Sequence, residues 1–372
     1  MPRIPRPTAG AVALAAISAL GVLGAVGATA RQRDLGDSLQ RVQPGLRAPL
    51  LVVGRGRVGE PVAPEDVGSV LAGRPATVAT RAVFPRGLGR RTVIPEGGEE
   101  VPVWLYERET ASPEDEAGRA GSSDALRPAV VWIHGGGYVG GDPAQDHGLC
   151  NLIARRTHGL VVSVDYRRAP QHPYPAALED CWSGLTWVHE HAKELGVDPS
   201  RVAVGGSSAG GGLAAALTQR ARDEGLPLAF QMLVYPMLDD ATGAGGVEVP
   251  GLGEFVWTAR SNAEGWAAYL GHPAGEPDER PWAVPARAQD LSGLPDAWIG
   301  VGDLDLFLDE DLAYAERLRG AGAEVDVRVE PGMYHGADYC TWSASMRAFR
   351  ESGVDALAQA LRRVRPGSQS SS

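Results

Sequence analysis

Three groups of residues in this chain have the types and spacing for acyl-transfer chemistry. The first is Arg201-Val-Ala-Val-Gly205-Gly206-Ser207-Ser208-Ala209-Gly210-Gly211-Gly212, where an apolar run enters a G-x-S-x-G and a helical pattern starts at once. A strand-to-helix turn of this kind is crowded, so small residues must flank the serine; the turn lifts its Oγ clear of the sheet edge. The helix N-terminus behind it favours developing negative charge. Ser208 has Gly206 and Gly210 at the required offsets, whereas Ser207 would need a glycine where Ala209 stands. Ser208 is therefore the candidate nucleophile. The second group is His134-Gly135-Gly136-Gly137, directly after the apolar run Ala129–Ile133. Glycines let backbone N–H groups approach an oxyanion closely. With the N–H that follows the nucleophile, the expected donors are Gly136, Gly137 and Ala209. His134 is expected to organise this loop rather than to move protons.

The third group is an acid and a base. In the strand–turn–helix frame that suits Ser208 the chain order is serine, acid, histidine. Seven of the eight histidines lie at or before His272, and His335 alone follows the acidic cluster near the C-terminus. Gly302-Asp303-Leu304-Asp305-Leu306-Phe307-Leu308-Asp309-Glu310 supplies four carboxylates. Asp309 and Glu310 read as first-turn helix residues favoured by the dipole. Asp303 and Asp305 remain, and the pattern does not choose between them. Other chemistries fare worse. No G-K-S/T or G-x-G-x-x-G lies in frame for a phosphate loop. The spacing of His134, Asp142, Asp146 and His147 matches no helical metal-ligand pair. No metal and no cofactor is expected.

These groups need a scaffold. Apolar runs of strand length recur at Ala129–Ile133, Leu160–Val164, Val202–Val204, Phe230–Tyr235, Ala297–Val301 and Val325–Val329. Helical patterns fill the main gaps at Ala176–Leu195, Ala209–Arg222 and Leu308–Arg319, with a last one at Thr341–Val364. Continuous apolar strands alternating with helices predict an α/β fold: a mostly parallel central sheet flanked by helices on both faces. Val101–Glu107 alternates apolar and polar, as a half-buried strand does. Ala111–Arg127 reads as a polar surface loop. About sixty residues between Pro236 and Pro295 break the rhythm, with Trp257, Trp266 and Tyr269 on an expected helix. An insertion of that size at a strand end serves as a lid or specificity element.

Composition bounds the rest. The chain has 372 residues, 44% of them hydrophobic, which is enough for a large core. A formal charge of −11 repels phosphate backbones, so no nucleic-acid partner is expected. Cys150, Cys181 and Cys340 are scattered without a CxxC and are expected to be free, mostly buried thiols. Arg3 and Arg6 precede an apolar run over 9–30 that ends Ala28-Thr29-Ala30. Residues 1–30 are accordingly expected to be a signal peptide or membrane anchor, with membrane contact through 9–30 and an exported or anchored product. If the true start lies further on, the protein is cytoplasmic. Residues 31–90 read as a leader and N-terminal cap element, with a short helix near Pro64–Ala72. The catalytic domain is placed at 91–366, with its cap insertion at about 237–290, and 367–372 as a frayed tail.

From Arg91 to Val364 the sequence resembles the hormone-sensitive-lipase-like family of α/β-hydrolase esterases, in particular bacterial carboxylesterases. The resemblance rests on an ordered set: His134-Gly135-Gly136-Gly137-Tyr138, Asp165-Tyr166-Arg167-Arg168-Ala169-Pro170 with Pro175-Ala176-Ala177-Leu178-Glu179-Asp180, Ser207-Ser208-Ala209-Gly210-Gly211, Tyr235-Pro236, Asp305-Leu306-Phe307-Leu308-Asp309-Glu310 and His335-Gly336. The first Asp of the acid segment is the family's catalytic one, so the resemblance selects Asp305. Ser208 and Asp305 are 97 residues apart and Asp305 and His335 30 apart, both typical of the family. Departures are Ser207 where an acidic residue is common, Ala337 where the family often has Phe, and Arg168 and Gln171 where Leu and Glu are common.

The resemblance implies an α/β-hydrolase fold with a helical cap built from the N-terminal arm and the insertion. It implies a serine carboxylesterase that hydrolyses short- to medium-chain acyl esters through Ser208, His335 and Asp305 and an acyl-enzyme. The expected partner is a small-molecule ester, with Tyr138, Trp257 and Trp266 as pocket residues, and family members often form homodimers. Two rivals keep the fold: an amidase or lactonase using the same triad, and a non-catalytic ligand-binding homologue. The plant gibberellin receptors, which are of the second kind, lack the catalytic histidine that His335 supplies here.

Overall fold

Stretches of consecutive β-branched and aromatic residues with no polar interruption can be buried only when both faces are covered, and that condition organises this molecule. The computed structural model describes residues 35–47, 89–96, 99–107 and 126–363. In chain order the elements are α1 (Leu35–Arg41), β1 (Arg90–Glu96), β2 (Glu99–Tyr106), β3 (Arg127–Ile133), α2 (His147–Thr157), β4 (Leu160–Val164), α3 (Ala176–Glu190), a one-turn α4 (Ala192–Leu195), β5 (Val197–Ser207), α5 (Ala209–Asp223), β6 (Phe230–Val234), α6 (Ala259–Leu270), β7 (Ala297–Gly302), α7 (Leu308–Gly320), β8 (Val325–Glu330) and α8 (Ala344–Arg362).

The strands form one eight-stranded sheet in the order β1-β2-β4-β3-β5-β6-β7-β8. β1, β2 and β4 pair antiparallel, and every pairing from β4 through β3 to β8 is parallel. The period-2 geometry of the strands splits the core in two. On one face Val131, Ile133, Val162, Val204, Leu233 and Ile299 pack against α3, α5 and α7. On the other Val130, Trp132, Val161, Ala203, Met232 and Trp298 pack against α2 and α8. The doubly covered parallel sheet predicted from the apolar runs is thus present. Parallel strands put their C-terminal ends along one edge, and the turns after β3, β5, β7 and β8 carry the three chemical groups picked out above.

Several elements differ from the sequence expectation. α3 stops at Glu190 because His191 leaves the helix at φ −100°, ψ 16°, and a single turn ending at Gly196 (φ 63°) follows. α8 starts at Ala344, three residues late, after Ser343 in an extended conformation. Trp257 is not on a helix: α6 begins two residues later, where the Thr258 hydroxyl accepts from the N–H of Ser261. α1, α2 and β1 were not anticipated, although Leu149/Ile153 and Cys150/Ala154 give α2 two i, i+4 apolar pairs, all buried. The three cysteines are free and buried, as expected. Among the described residues no helix is long and apolar enough to cross a membrane. Residues 1–30, the helix near Pro64–Ala72, 111–125 of the polar loop and the tail 367–372 lie outside the described residues.

Candidate active site

Ser208 stands alone between β5 and α5, at φ 56° and ψ −123°. A non-glycine residue rarely adopts a positive φ, and such strain persists where the surroundings over-determine it. Here they do. The Ser208 N–H donates to the Val234 carbonyl at 2.9 Å, and its own carbonyl accepts from Gly212 and Met237, both at 3.0 Å. The flanking glycines are steric necessities. A Cβ on Gly206 would lie 2.3 Å from the Gly210 carbonyl oxygen, and one on Gly210 would lie 2.2 Å from that of Ile133. Both obstacles are backbone, which cannot swing aside.

The loop after β8 brings His335 to this serine. Its Nε2 lies 2.9 Å from Ser208 Oγ, and its Nδ1 lies 2.8 Å from Oδ2 and 3.1 Å from Oδ1 of Asp305. The carboxylate only accepts, so Nδ1 carries the proton, and Nε2 is left as the acceptor for the serine hydroxyl. Asp305 follows β7 and also accepts the Phe307 N–H at 3.1 Å. All three side chains are buried.

The carboxylates left open by the sequence separate by geometry. Asp303 accepts the Gly332 N–H at 2.7 Å and so fastens the loop that leads to His335. Glu310 is not a surface residue of the first turn of α7. It is buried and accepts the backbone N–H groups of Leu238 (2.7 Å) and Asp239 (3.2 Å), tying α7 to the chain beyond β6. Burial raises its pKa to about 8, and burial also pushes the Asp311 carboxyl well above the carboxylate range. Among the described residues Asp305 is the carboxylate that meets His335 Nδ1.

Gly136 and Gly137 sit beside this constellation with φ 137° and 61°. A Cβ on Gly136 would meet the Gly140 carbonyl oxygen at 2.2 Å, and one on Gly137 would meet the Trp257 ring at 2.2 Å. The Gly136 carbonyl accepts from Gly140 at 2.9 Å and closes the turn. Among the described residues, none accepts a hydrogen bond from the N–H of Gly136, Gly137 or Ala209. His134 donates from Nδ1 to the Gly135 carbonyl at 2.8 Å and stacks on Tyr166 at 4.3 Å. Burial, helped by the Arg168 charge, lowers its pKa to about 4. It is neutral in use, in keeping with an organising role.

The aromatic residues divide into two groups. The Trp257 ring lies against the glycine loop and 6.1 Å from the His335 ring, with its indole N–H on Asn262 Oδ1 at 3.1 Å. Tyr138 and Trp266 are both buried in one stack with Tyr269; the Tyr138–Tyr269 centroids are 4.0 Å apart and the Tyr138–Trp266 centroids 5.1 Å. The Tyr138 hydroxyl donates to the Met237 carbonyl at 3.2 Å. Two further rings reach His335 without having been read as site residues: Tyr235 at 4.7 Å and Phe307 at 5.2 Å. Their signal in the sequence was their place in two motifs of the resemblance, Tyr235-Pro236 and the segment that begins at Asp305.

The α/β hydrolase fold family model matches residues 130–338. The chain is 42% identical over 217 residues to Esterase LipI of Mycobacterium tuberculosis, covering 57% of this chain and 66% of that one. It is 39% identical over 281 residues to Carboxylesterase NlhH of the same species, covering 73% of this chain and 82% of the relative. The solved structure of a bacterial heroin esterase superposes with a TM-score of 0.74 at 32% identity, over 88% of this chain and all of the other. This chain belongs to the α/β-hydrolase fold family, in its hormone-sensitive-lipase-like group of bacterial carboxylesterases.

Proposed function

We propose that the protein hydrolyses short- to medium-chain carboxylic esters through Ser208, His335 and Asp305. The observation that carries this reading is one imidazole bridging a serine hydroxyl at 2.9 Å and a buried carboxylate at 2.8 Å. His335 Nε2 takes the Ser208 proton as Oγ attacks the ester carbonyl. Asp305 stays ionised, orients the ring and stabilises the imidazolium. The N–H groups of Gly136, Gly137 and Ala209 hold the tetrahedral oxyanion. On collapse the ester C–O bond breaks, and His335 returns its proton to the departing alkoxide. Water then loses a proton to the same Nε2 and attacks the acyl carbon. The second collapse frees the acid and restores Ser208. The chain and water account for every bond and proton, so no cofactor is called for.

Trp257, packed against the oxyanion loop, is the pocket wall in this reading, whereas the Tyr138 and Trp266 stack supports the loop from behind. Residues from the N-terminal arm and from 237–290 form the cap. Residues 9–30 act as an export or anchoring segment, and the working unit is a homodimer.

The test is hydrolysis of p-nitrophenyl esters from acetate to palmitate, beside the matching anilides. Activity peaking at short to medium chains is expected. Anilide cleavage without ester cleavage would make the protein an amidase, and no turnover by folded protein would leave only a binding role. The oxyanion loop carries its own prediction. Gly137→Ala places a methyl against Trp257 at a positive φ, so the loop must shift, and kcat is expected to fall by about 10². An unchanged kcat would remove Gly137 from the scheme.

A further inference from the structure

A flat ring held only at two opposite nitrogens can still tilt about the line that joins them. Hydrogen bonds from Asp305 at Nδ1 and Ser208 at Nε2 leave His335 with that freedom. We propose that Tyr235 and Asp338, anchored by Arg350, form a positioning brace that fixes the tilt of His335; the proposal rests on His335 being the general base.

The Tyr235 ring meets the His335 ring at 4.7 Å and 62°, edge to face. Tyr235 follows β6 at φ 36°, and its N–H donates to the Gly300 carbonyl, so its backbone is committed to a rarely used conformation. Its hydroxyl donates to Asp338 Oδ1 at 2.5 Å. Asp338 lies three residues after His335 in the short turn Ala337–Tyr339, so the brace closes on the loop that carries the base. The other Asp338 oxygen accepts from Arg350 Nε at 2.8 Å; the Asp338 side chain is buried and that of Arg350 is 11% exposed. A buried carboxylate held by a largely covered guanidinium is a fixed acceptor, because letting go would strand the carboxylate's charge. Phe307 and Trp257 also touch His335, but among the described residues neither is hydrogen-bonded to its loop.

The same arginine reaches the other half of the site. Its guanidinium lies over the Tyr339 ring at 4.8 Å. The Tyr339 hydroxyl donates to Asp146 at 2.8 Å and accepts from Gln145 Nε2 at 3.2 Å. That Gln145 amide also donates to the Gly135 carbonyl of the glycine loop at 3.3 Å. One side chain of α8 thereby connects the histidine loop to the oxyanion loop through a ring contact and part-buried hydrogen bonds.

Tyr235→Phe keeps the ring and removes the tether. Two quantities report its effect in the full chain: kcat and KM per active site titrated with a serine-directed phosphonate, and the second-order rate of phosphonate inactivation. Misfolded protein drops out of both. A fall of about tenfold in kcat and in the inactivation rate, with KM unchanged, is expected for lost orientation. Asp338→Asn should give a similar fall, and the double variant no further one, because the two act as a unit. Should Asp338→Asn fail to fold, Tyr235→Phe decides alone. Wild-type kcat and inactivation rate in Tyr235→Phe would overturn the brace. If the wild type reacts with phosphonate yet cleaves no ester, the esterase reading falls while the brace is still scored on the inactivation rate. If it reacts with neither, both are overturned.

Discussion

Ser208→Ala is expected to lower kcat by about 10⁶ and to leave the fold intact, the scale at which removing a triad nucleophile cancels the whole unit. The neighbouring hydroxyl makes this informative. Ser207 Oγ is also buried, and no hydrogen bond holds it. Yet Ser207 is the last residue of β5, where side chains alternate between faces, and its Oγ lies beneath Gly135 rather than at His335. With Ser208 gone, Ser207 therefore has no base to activate it. Intact-mass analysis after phosphonate treatment should show one adduct on the wild type and none on Ser208→Ala. An adduct on the variant would move the nucleophile to Ser207. The melting temperature should change little, because the elbow is held by backbone groups and by Gly206 and Gly210 rather than by the Ser208 hydroxyl.

Much of this site could be read in the sequence because steric demands leave few choices. Glycines at 206 and 210 are required where this strand turns sharply into a helix, because a Cβ at either would lie 2.2–2.3 Å from a backbone carbonyl oxygen. The strands were legible for a similar reason: residues such as Val130-Val131-Trp132-Ile133 have no face to show to water, and the sheet order buries them all. What was not legible depends on contacts between residues far apart in the chain. Nothing in the local pattern tells that Glu310 turns inward to bind Leu238 and Asp239, 72 and 71 residues earlier. Nothing local tells that Asp338 would hold Tyr235 across 103 residues. β1 was missed because an edge strand need not be apolar: Arg90 and Arg91 are exposed there. Trp257 was placed on the same helix as Trp266 and Tyr269, but Thr258 supplies the cap and starts the helix after it.

Asp303 and Asp305 mark the sharpest limit of local reading, and a paired substitution turns that limit into a measurement. They stand two residues apart in the same turn after β7, with the same side chain. Family resemblance chose Asp305, and the geometry gives the two different work. Asp305→Asn should lower kcat by about 10⁴ with little change in KM. Asparagine fits the space, but it carries no charge to stabilise the imidazolium. If its amide turns NH₂ toward Nδ1, that nitrogen must accept, Nε2 then carries the proton, and the Ser208 hydroxyl has nothing to give its proton to. Among the described residues no other carboxylate is hydrogen-bonded to His335, so none takes over the charge. Asp303→Asn should behave differently. Its task is to accept one backbone N–H from Gly332 at 2.7 Å, which an amide oxygen also does. Its kcat is expected to stay within about threefold of wild type, with the cost appearing as roughly 1 kcal/mol of stability from weakening a hydrogen bond to a charged acceptor. Steady-state kinetics on the two variants, with urea denaturation alongside, separates a partner of the base from a fastener of its loop. The reverse outcome, an active Asp305→Asn and an inactive Asp303→Asn, would assign the acid to the other residue and require the His335 loop to sit differently from the arrangement described here.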